Sequence, residues 1–251
     1  MTDFAGKTAL VTGASRGIGL GIARELVARG AAVAITARKP EQLAAAAAEL
    51  GAPDHVLAIP GNAGRAEDRE EAVAKVVERF GSLDVLVNNT GINPSFGSLM
   101  DADLEAVKKI FDVNVVSALG MVQLAWKAWM SEHGGSIVNV ASVGGLRSTG
   151  VIAAYGASKA ALIRLTAELA WQLGPKVRVN AVAPGVVKTK FAEALYTGRE
   201  EDAAGAYPLG RLGTPEDVAS LVAFLASDSA SWVTGETVAV DGGLLATGTL
   251  G

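Results

Sequence analysis

The chain has no cysteine, which excludes disulfides, thiol nucleophiles and Cys-ligated zinc and is compatible with a reducing compartment. Its two histidines, His55 and His133, leave little for metal or triad chemistry, and no metal site is expected. Basic residues are not in excess: 22 Lys plus Arg stand against 26 Asp plus Glu, a formal charge of −4. Nucleic acid is therefore not an expected partner, and phosphate recognition must be local. Long apolar runs are absent too, each being broken by Gly, Asn, Gln or a charge, and Met1-Thr2-Asp3-Phe4 opens no basic-then-apolar leader. The expectation is a soluble, cytoplasmic protein with no membrane partner. What is present suffices for a sizeable core, because half of the 251 residues are hydrophobic, and one domain over 1–251 is expected.

Apolar runs and helical periodicities alternate along the chain. Lys7 to Thr12 is β-rich and ends in the cluster Gly13, Gly17 and Gly19, after which Ile18, Ile22 and Leu26 recur at helical spacing. The run Ala32 to Thr36 then precedes a helix opened by Pro40 and reaching Leu50, and Val56 to Ile59 is apolar again. Glu67 to Phe80 is helix-like, Leu83 to Val87 reads as a buried strand, and Asp101 is the expected N-cap of the next helix. Strands follow at Ser136 to Val140, Val177 to Val182 and Thr237 to Val240, with a helix from about Ala153 to Leu173 and another opened by Thr214-Pro215-Glu216-Asp217. Six or seven buried strands separated by helices predict a doubly wound parallel α/β sheet with helices on both faces. Its ligand crevice would lie beyond the carboxyl ends of the strands. Residues 192–206, rich in Ala, Glu and Gly, read as mobile; a substrate lid over 188–210 and a plain surface loop are the two readings.

Three constellations sit at strand ends. In Thr12-Gly13-Ala14-Ser15-Arg16-Gly17-Ile18-Gly19 the glycines allow a sharp turn and let a pyrophosphate approach backbone N–H groups at a helix N-terminus. The same residues spell G-x-S-x-G, with Ser15 as a would-be nucleophile, but no His follows His133 and the elbow would fall on the first strand. A capping turn without ligand is the plain alternative. In Tyr155-Gly156-Ala157-Ser158-Lys159 the spacing puts phenol and ammonium on one helix face, where a cation lowers a tyrosine pKa from about 10 toward an acid–base range. Ser142, just past the strand ending at Val140, offers a hydroxyl to a substrate carbonyl, although a serine there is ordinarily a turn residue.

Together with Asn88-Asn89-Thr90-Gly91 and Pro184-Gly185, these motifs occur in an order that resembles the short-chain dehydrogenase/reductase family over essentially the whole chain. That resemblance implies a Rossmann-type domain in which Tyr155 is the general acid in reduction. Lys159 would lower the tyrosine pKa and hold the nicotinamide ribose, Ser142 would orient the carbonyl, and Asn114 would anchor a relay water. It further implies that Gly13, Ser15, Arg16, Gly17, Ile18 and Gly19 hold the dinucleotide phosphates. Asn89 and Gly91 would lie beside the adenosine ribose, while Pro184, Gly185, Val187 and Thr189 would grip the carboxamide. Two positions depart from the family: Thr90 replaces its usual Ala, and Gly61-Asn62-Ala63 replaces its Asp-Val or Asp-Leu, leaving Asn62 and Ala63 to meet adenine.

The segment Thr36-Ala37-Arg38-Lys39 carries no acid for ribose hydroxyls. Arg38 with Arg16 can pair a 2′-phosphate, so NADP(H) is favoured over NAD(H). The expected activity is reduction of a ketone to a secondary alcohol. Among relatives the chain most resembles 3-oxoacyl-(acyl-carrier-protein) reductases, through Pro208 to Asp217 and through Thr234-Gly235 to Asp241-Gly242-Gly243; these features also occur in relatives acting on sugars, steroids and small alcohols. The alternatives are an NAD-dependent dehydrogenase of such alcohols and a non-catalytic dinucleotide-binding protein. Substrate contacts are expected from Asn93 to Phe96, Gly144 to Leu146 and Phe191 to Tyr196. The resemblance also implies a homotetramer.

Overall fold

The computed structural model describes residues 3–246; Met1, Thr2 and the last five residues of the expected domain lie outside the described residues. Seven strands form one parallel sheet in the order β3-β2-β1-β4-β5-β6-β7. They are β1 (Thr8–Thr12), β2 (Ala32–Ala37), β3 (Val56–Pro60), β4 (Val85–Asn88), β5 (Gly135–Val140), β6 (Val177–Pro184) and β7 (Thr237–Val240). The order reverses between β1 and β4, so the chain ends of these two strands diverge and open a crevice above the sheet.

Successive side chains of a strand face opposite layers, and the core divides accordingly. Val11, Ile35, Val87 and Val138 face a layer made by α1 (Gly17–Ala28), α2 (Pro40–Leu50) and α9 (Pro215–Ala226). Leu10, Ala34, Leu86 and Ile137 face α3 (Ala66–Phe80), α5 (Ser117–Ala125) and α7 (Ala153–Leu173). Because both faces are covered, the strands read as continuous apolar runs. Burying each Leu, Ile or Val contributes about 1.5–3 kcal/mol, and the two layers share that gain across a single sheet.

The boundaries follow local chemistry. Pro40 occupies the first turn of α2 and Gly51 ends it at φ 69°, a left-handed conformation that costs glycine little. Thr214 and Asp217 form a reciprocal capping box at the start of α9. The helix α4 (Leu104–Phe111) is capped by Asp103, whose carboxylate accepts from Glu105 N–H at 3.0 Å. Asp101 instead ends a 3₁₀ turn, Leu99–Asp101, that Ser98 caps. The expected cap was thus two residues early, because two aspartates precede the periodic run. From α4 the chain continues through π turns at Asp112–Val116 and Trp126–Met130, with α5 between them and the single turn α6 (Ser131–His133) after. Residues of the expected lid include a 3₁₀ turn at Glu193–Leu195 and the short helix α8 (Glu200–Gly205). Among the described residues no helix is long and apolar enough to cross a membrane, and no cluster of His, Asp or Glu could hold a metal ion.

Candidate active site

A cleft of about 1240 Å³ runs over the carboxyl ends of the strands. Every catalytic and cofactor-binding residue expected from the sequence lines it except Asn114; of the expected substrate contacts, Pro94, Ser95, Gly145, Leu146 and Tyr196 do not line it. Its floor at one end is the turn from β1 into α1. No side chain caps α1, so the first-turn N–H groups and the positive end of the helix dipole face the cleft.

The glycines there are steric requirements. A Cβ on Gly19 would stand 2.5 Å from Asn89 Nδ2 and 2.7 Å from the Gly13 carbonyl oxygen. Gly13 has φ +66°, and a Cβ there would meet Thr90 Oγ1 at 3.0 Å, so the threonine that departs from the family pattern packs on this turn. The turn is tied to β4: Asn89 Nδ2 donates to the Thr12 and Gly13 carbonyls at 2.8 and 3.1 Å, and Thr12 Oγ1 accepts from the N–H groups of Asn89 and Thr90 at 3.1 Å. The Asn89 amide therefore organises the phosphate-side loop. Thr12 heads the glycine motif read from the sequence, which assigns its hydroxyl no role; the structure shows it holding the β4 turn.

Arg16, Arg38, Lys39 and Gln42 line the cleft beyond β1 and β2. The loop after β3 is folded by its own polar groups. Asn62 N–H donates to Asp68 at 2.7 Å, Asn62 Oδ1 accepts from Gly64 N–H at 3.1 Å, and Arg69 donates to the Ala63 carbonyl at 2.7 Å. At the opposite end, β6 runs to Pro184, two residues beyond its expected end, because it pairs with β7 there. The following backbone is fixed by Val186 and Lys188, which exchange hydrogen bonds with Gly213 at 3.0 and 2.9 Å. Thr189 Oγ1 donates to the Val187 carbonyl at 3.3 Å.

Between these ends lie the reactive side chains. Tyr155 and Lys159 are both buried, on the first two turns of α7. Ser142 stands at the head of a 3₁₀ turn, where its hydroxyl accepts from Gly144 N–H at 3.1 Å. Burial pushes the Tyr155 phenol up to about 12, and a hydrogen bond from the Ser142 hydroxyl opposes the shift. Burial likewise lowers Lys159 to about 8, and its ammonium donates to the Val140 carbonyl at 2.8 Å. The resemblance assigns the lowering of the phenol pKa to Lys159. In this structure Ser142 opposes the effect of burial on the phenol, and Lys159 Nζ lies 5.7 Å from the ring centroid. Gly91 makes room for this lysine, since a Cβ there would lie 3.3 Å from its Nζ. Phe191 tilts against the tyrosine at 6.0 Å between ring centroids.

Asn114 is 1% exposed and lies in the π turn after α4. Its amide is fully engaged: Oδ1 accepts from Ile92 N–H at 2.8 Å, and Nδ2 donates to the Ile92 carbonyl and to Ser158 Oγ, both at 3.0 Å. Ser158 in turn donates to the Tyr155 carbonyl at 2.7 Å. The side chain of Asn114 thus clamps the cleft wall to the tyrosine helix. Ser158 was not singled out from the sequence, although its place three residues after Tyr155 puts it on the same helix face.

An uncapped helix N-terminus, a glycine turn with no room for Cβ atoms and a long cleft ending at a buried phenol fit a nicotinamide dinucleotide. They define the site of a dinucleotide-dependent oxidoreductase of the doubly wound class. Comparison with known proteins narrows the class. The family model described as "Enoyl-(Acyl carrier protein) reductase" matches residues 13–245. Dehydrogenase/reductase SDR family member 4 of Oryctolagus cuniculus is 42% identical over 246 residues, 96% of this chain and 94% of the relative. The protein of the same name from Caenorhabditis elegans is 39% identical over 251 residues, 97% of this chain and 96% of the relative. A crystal structure titled short-chain dehydrogenase/reductase SDR:glucose/ribitol dehydrogenase, from Brucella melitensis, superposes with a TM-score of 0.92 at 37% identity, covering 97% of this chain and 98% of that one. The chain belongs to the short-chain dehydrogenase/reductase family.

Proposed function

We propose that the protein reduces a ketone to a secondary alcohol with NADPH, using Tyr155 as the proton donor. The observation that carries this reading is the buried Tyr155 phenol, hydrogen-bonded by Ser142 and open to the same cleft as the glycine turn. A phenol held at about 12 stays protonated at neutral pH, so it is ready to donate to an oxygen that gains charge. Ser142 and Tyr155 together present hydroxyl groups to one carbonyl oxygen, which stabilises the alkoxide-like transition state. When bound, the reduced nicotinamide supplies a hydride to the carbonyl carbon. Lys159 holds ribose hydroxyls and, below its pKa of about 8, carries the charge that eases proton loss from the phenol. Asn114 and Ser158 keep the tyrosine helix in register with the cleft wall.

Selection of NADP(H) rests on Arg16, Arg38 and Lys39, three cations on the cleft beyond β2 with no carboxylate among the residues that line it there. A 3-oxoacyl thioester is one ketone the reading admits. The absence of cysteine suits the cytoplasm, where we place the protein. We extend the reading to a homotetramer, supported by Trp171 on α7, Phe224 on α9 and Trp232 shortly before β7, large apolar side chains left exposed. Sedimentation as a monomer would refute that extension. The cofactor assignment is tested by fluorescence titration with NADPH and NADH. Arg38→Ala is expected to weaken NADPH about tenfold, equivalent to about 1.4 kcal/mol, and to leave NADH unchanged. Equal binding of both cofactors by the wild type would overturn the assignment.

A further inference from the structure

The chain has a formal charge of −4, yet the charged residues lining its cleft are cations with one exception, Glu193. Four of them, Arg16, Arg38, Lys39 and Lys109, stand at the β1 to β3 end, where a dinucleotide concentrates its phosphates. Lys159 is buried at the centre. Two more are Arg147, just past the turn that Ser142 heads, and Lys190, next to the ring that tilts against Tyr155.

Arg147 follows the 3₁₀ turn that Ser142 heads, and its N–H donates to the Val143 carbonyl at 3.0 Å. The backbone is therefore fixed, while the exposed guanidinium makes no hydrogen bond or ion pair among the described residues. Its charge is felt by Tyr207, which also lines the cleft and whose hydroxyl accepts from Val186 N–H at 2.9 Å. Asp241, the acid nearest that phenol in effect, is occupied by the N–H groups of Gly243 and Leu245 at 3.0 and 2.7 Å. Lys190 immediately precedes Phe191, the ring that tilts against Tyr155, and has no ion pair among the described residues. The neighbouring Lys188 differs: Glu200 pairs it at 3.1 Å.

We infer that the carbonyl substrate bears an anionic group, a carboxylate or a phosphate, which Arg147 binds and Lys190 helps to attract. This inference rests on the reductase reading above. A planar guanidinium suits either oxyanion bidentately, and a cleft lined by one sign of charge raises the local concentration of the opposite one. In the reaction the carbonyl carbon gains a hydride from the reduced nicotinamide, the C=O π pair moves to oxygen, and that oxygen takes the Tyr155 proton. The anionic group is unchanged, so its role is placement of the ketone beneath the two hydroxyls.

The test compares kcat/KM with NADPH for 4-oxopentanoate, its neutral methyl ester and acetoacetyl coenzyme A, in wild type and Arg147→Met. A preference of wild type for 4-oxopentanoate over the ester, reduced about tenfold in Arg147→Met and partly retained in Arg147→Lys, supports a carboxylate substrate. The same dependence on Arg147 seen only with acetoacetyl coenzyme A supports the inference with the anion supplied by the carrier phosphate. Turnover of the ester with an acid-to-ester ratio that Arg147→Met leaves unchanged, and no Arg147 dependence for the thioester, overturns the inference and leaves the reductase reading intact. Turnover of none of the three overturns both.

Discussion

Replacing Lys159 with methionine should make the protein more stable while it removes a functional group. The ammonium is 3% exposed, and burial lowers its pKa from 10.5 to about 8. A basic group whose pKa is lower in the folded state binds fewer protons there, so it opposes folding at every pH below about 8, and the penalty fades as pH rises toward 10.5. The shift corresponds to about 3 kcal/mol at pH 7 and about 1 kcal/mol at pH 9.5. Against this stands the hydrogen bond to the Val140 carbonyl, whose loss costs about 1 kcal/mol. Methionine has a similar volume and fills the same channel beside Gly91. The variant should therefore gain about 2 kcal/mol at pH 7, and the gain should vanish near pH 9.5, below the range in which Tyr155 titrates. Urea unfolding of both proteins at the two pH values, without cofactor, measures the gap. A variant less stable than wild type at pH 7, or a gap that does not change with pH, would refute the reasoning.

Two further predictions concern the supports of the site. Gly19→Ala places a Cβ against the Gly13 carbonyl and the Ala14 backbone; it should cost roughly 1–3 kcal/mol in urea unfolding and abolish NADPH binding in a fluorescence titration. Ser158→Ala removes the acceptor of Asn114 Nδ2 and the donor to the Tyr155 carbonyl. It should lower kcat about tenfold, about 1.4 kcal/mol of barrier, and move the kcat pH profile while leaving the NADPH dissociation constant within about twofold; Ser158→Thr should restore much of the loss.

Much of the architecture is legible in the chain because punctuation and periodicity coincide. Pro40 and Gly51 bracket α2, and the 21-residue α7 matches its expected bounds. The ambiguity arises where punctuation is duplicated, as with Asp101 and Asp103, or where an end depends on a distant partner. The extension of β6 to Pro184 requires β7, more than fifty residues on. At the site, residue types and spacing bring Ser142, Tyr155 and Lys159 to one cleft. They do not disclose that the Asn114 amide is spent on Ile92 and Ser158, since the π turn that aims it has no local signature. Nor do they disclose how burial divides its effect, raising the phenol while lowering the ammonium. Desolvation is set by the surrounding layers and is invisible in a five-residue motif.

The most direct test of the account is Tyr155→Phe, assayed for NADPH binding by fluorescence and for NADPH oxidation with methyl 4-oxopentanoate. Removing a general acid should lower kcat by about 10²–10⁴-fold with cofactor affinity retained, because the phenyl ring still fills the wall beside Phe191. A variant that binds NADPH and turns the ketone over at the wild-type rate would contradict the assignment of Tyr155 as the proton donor.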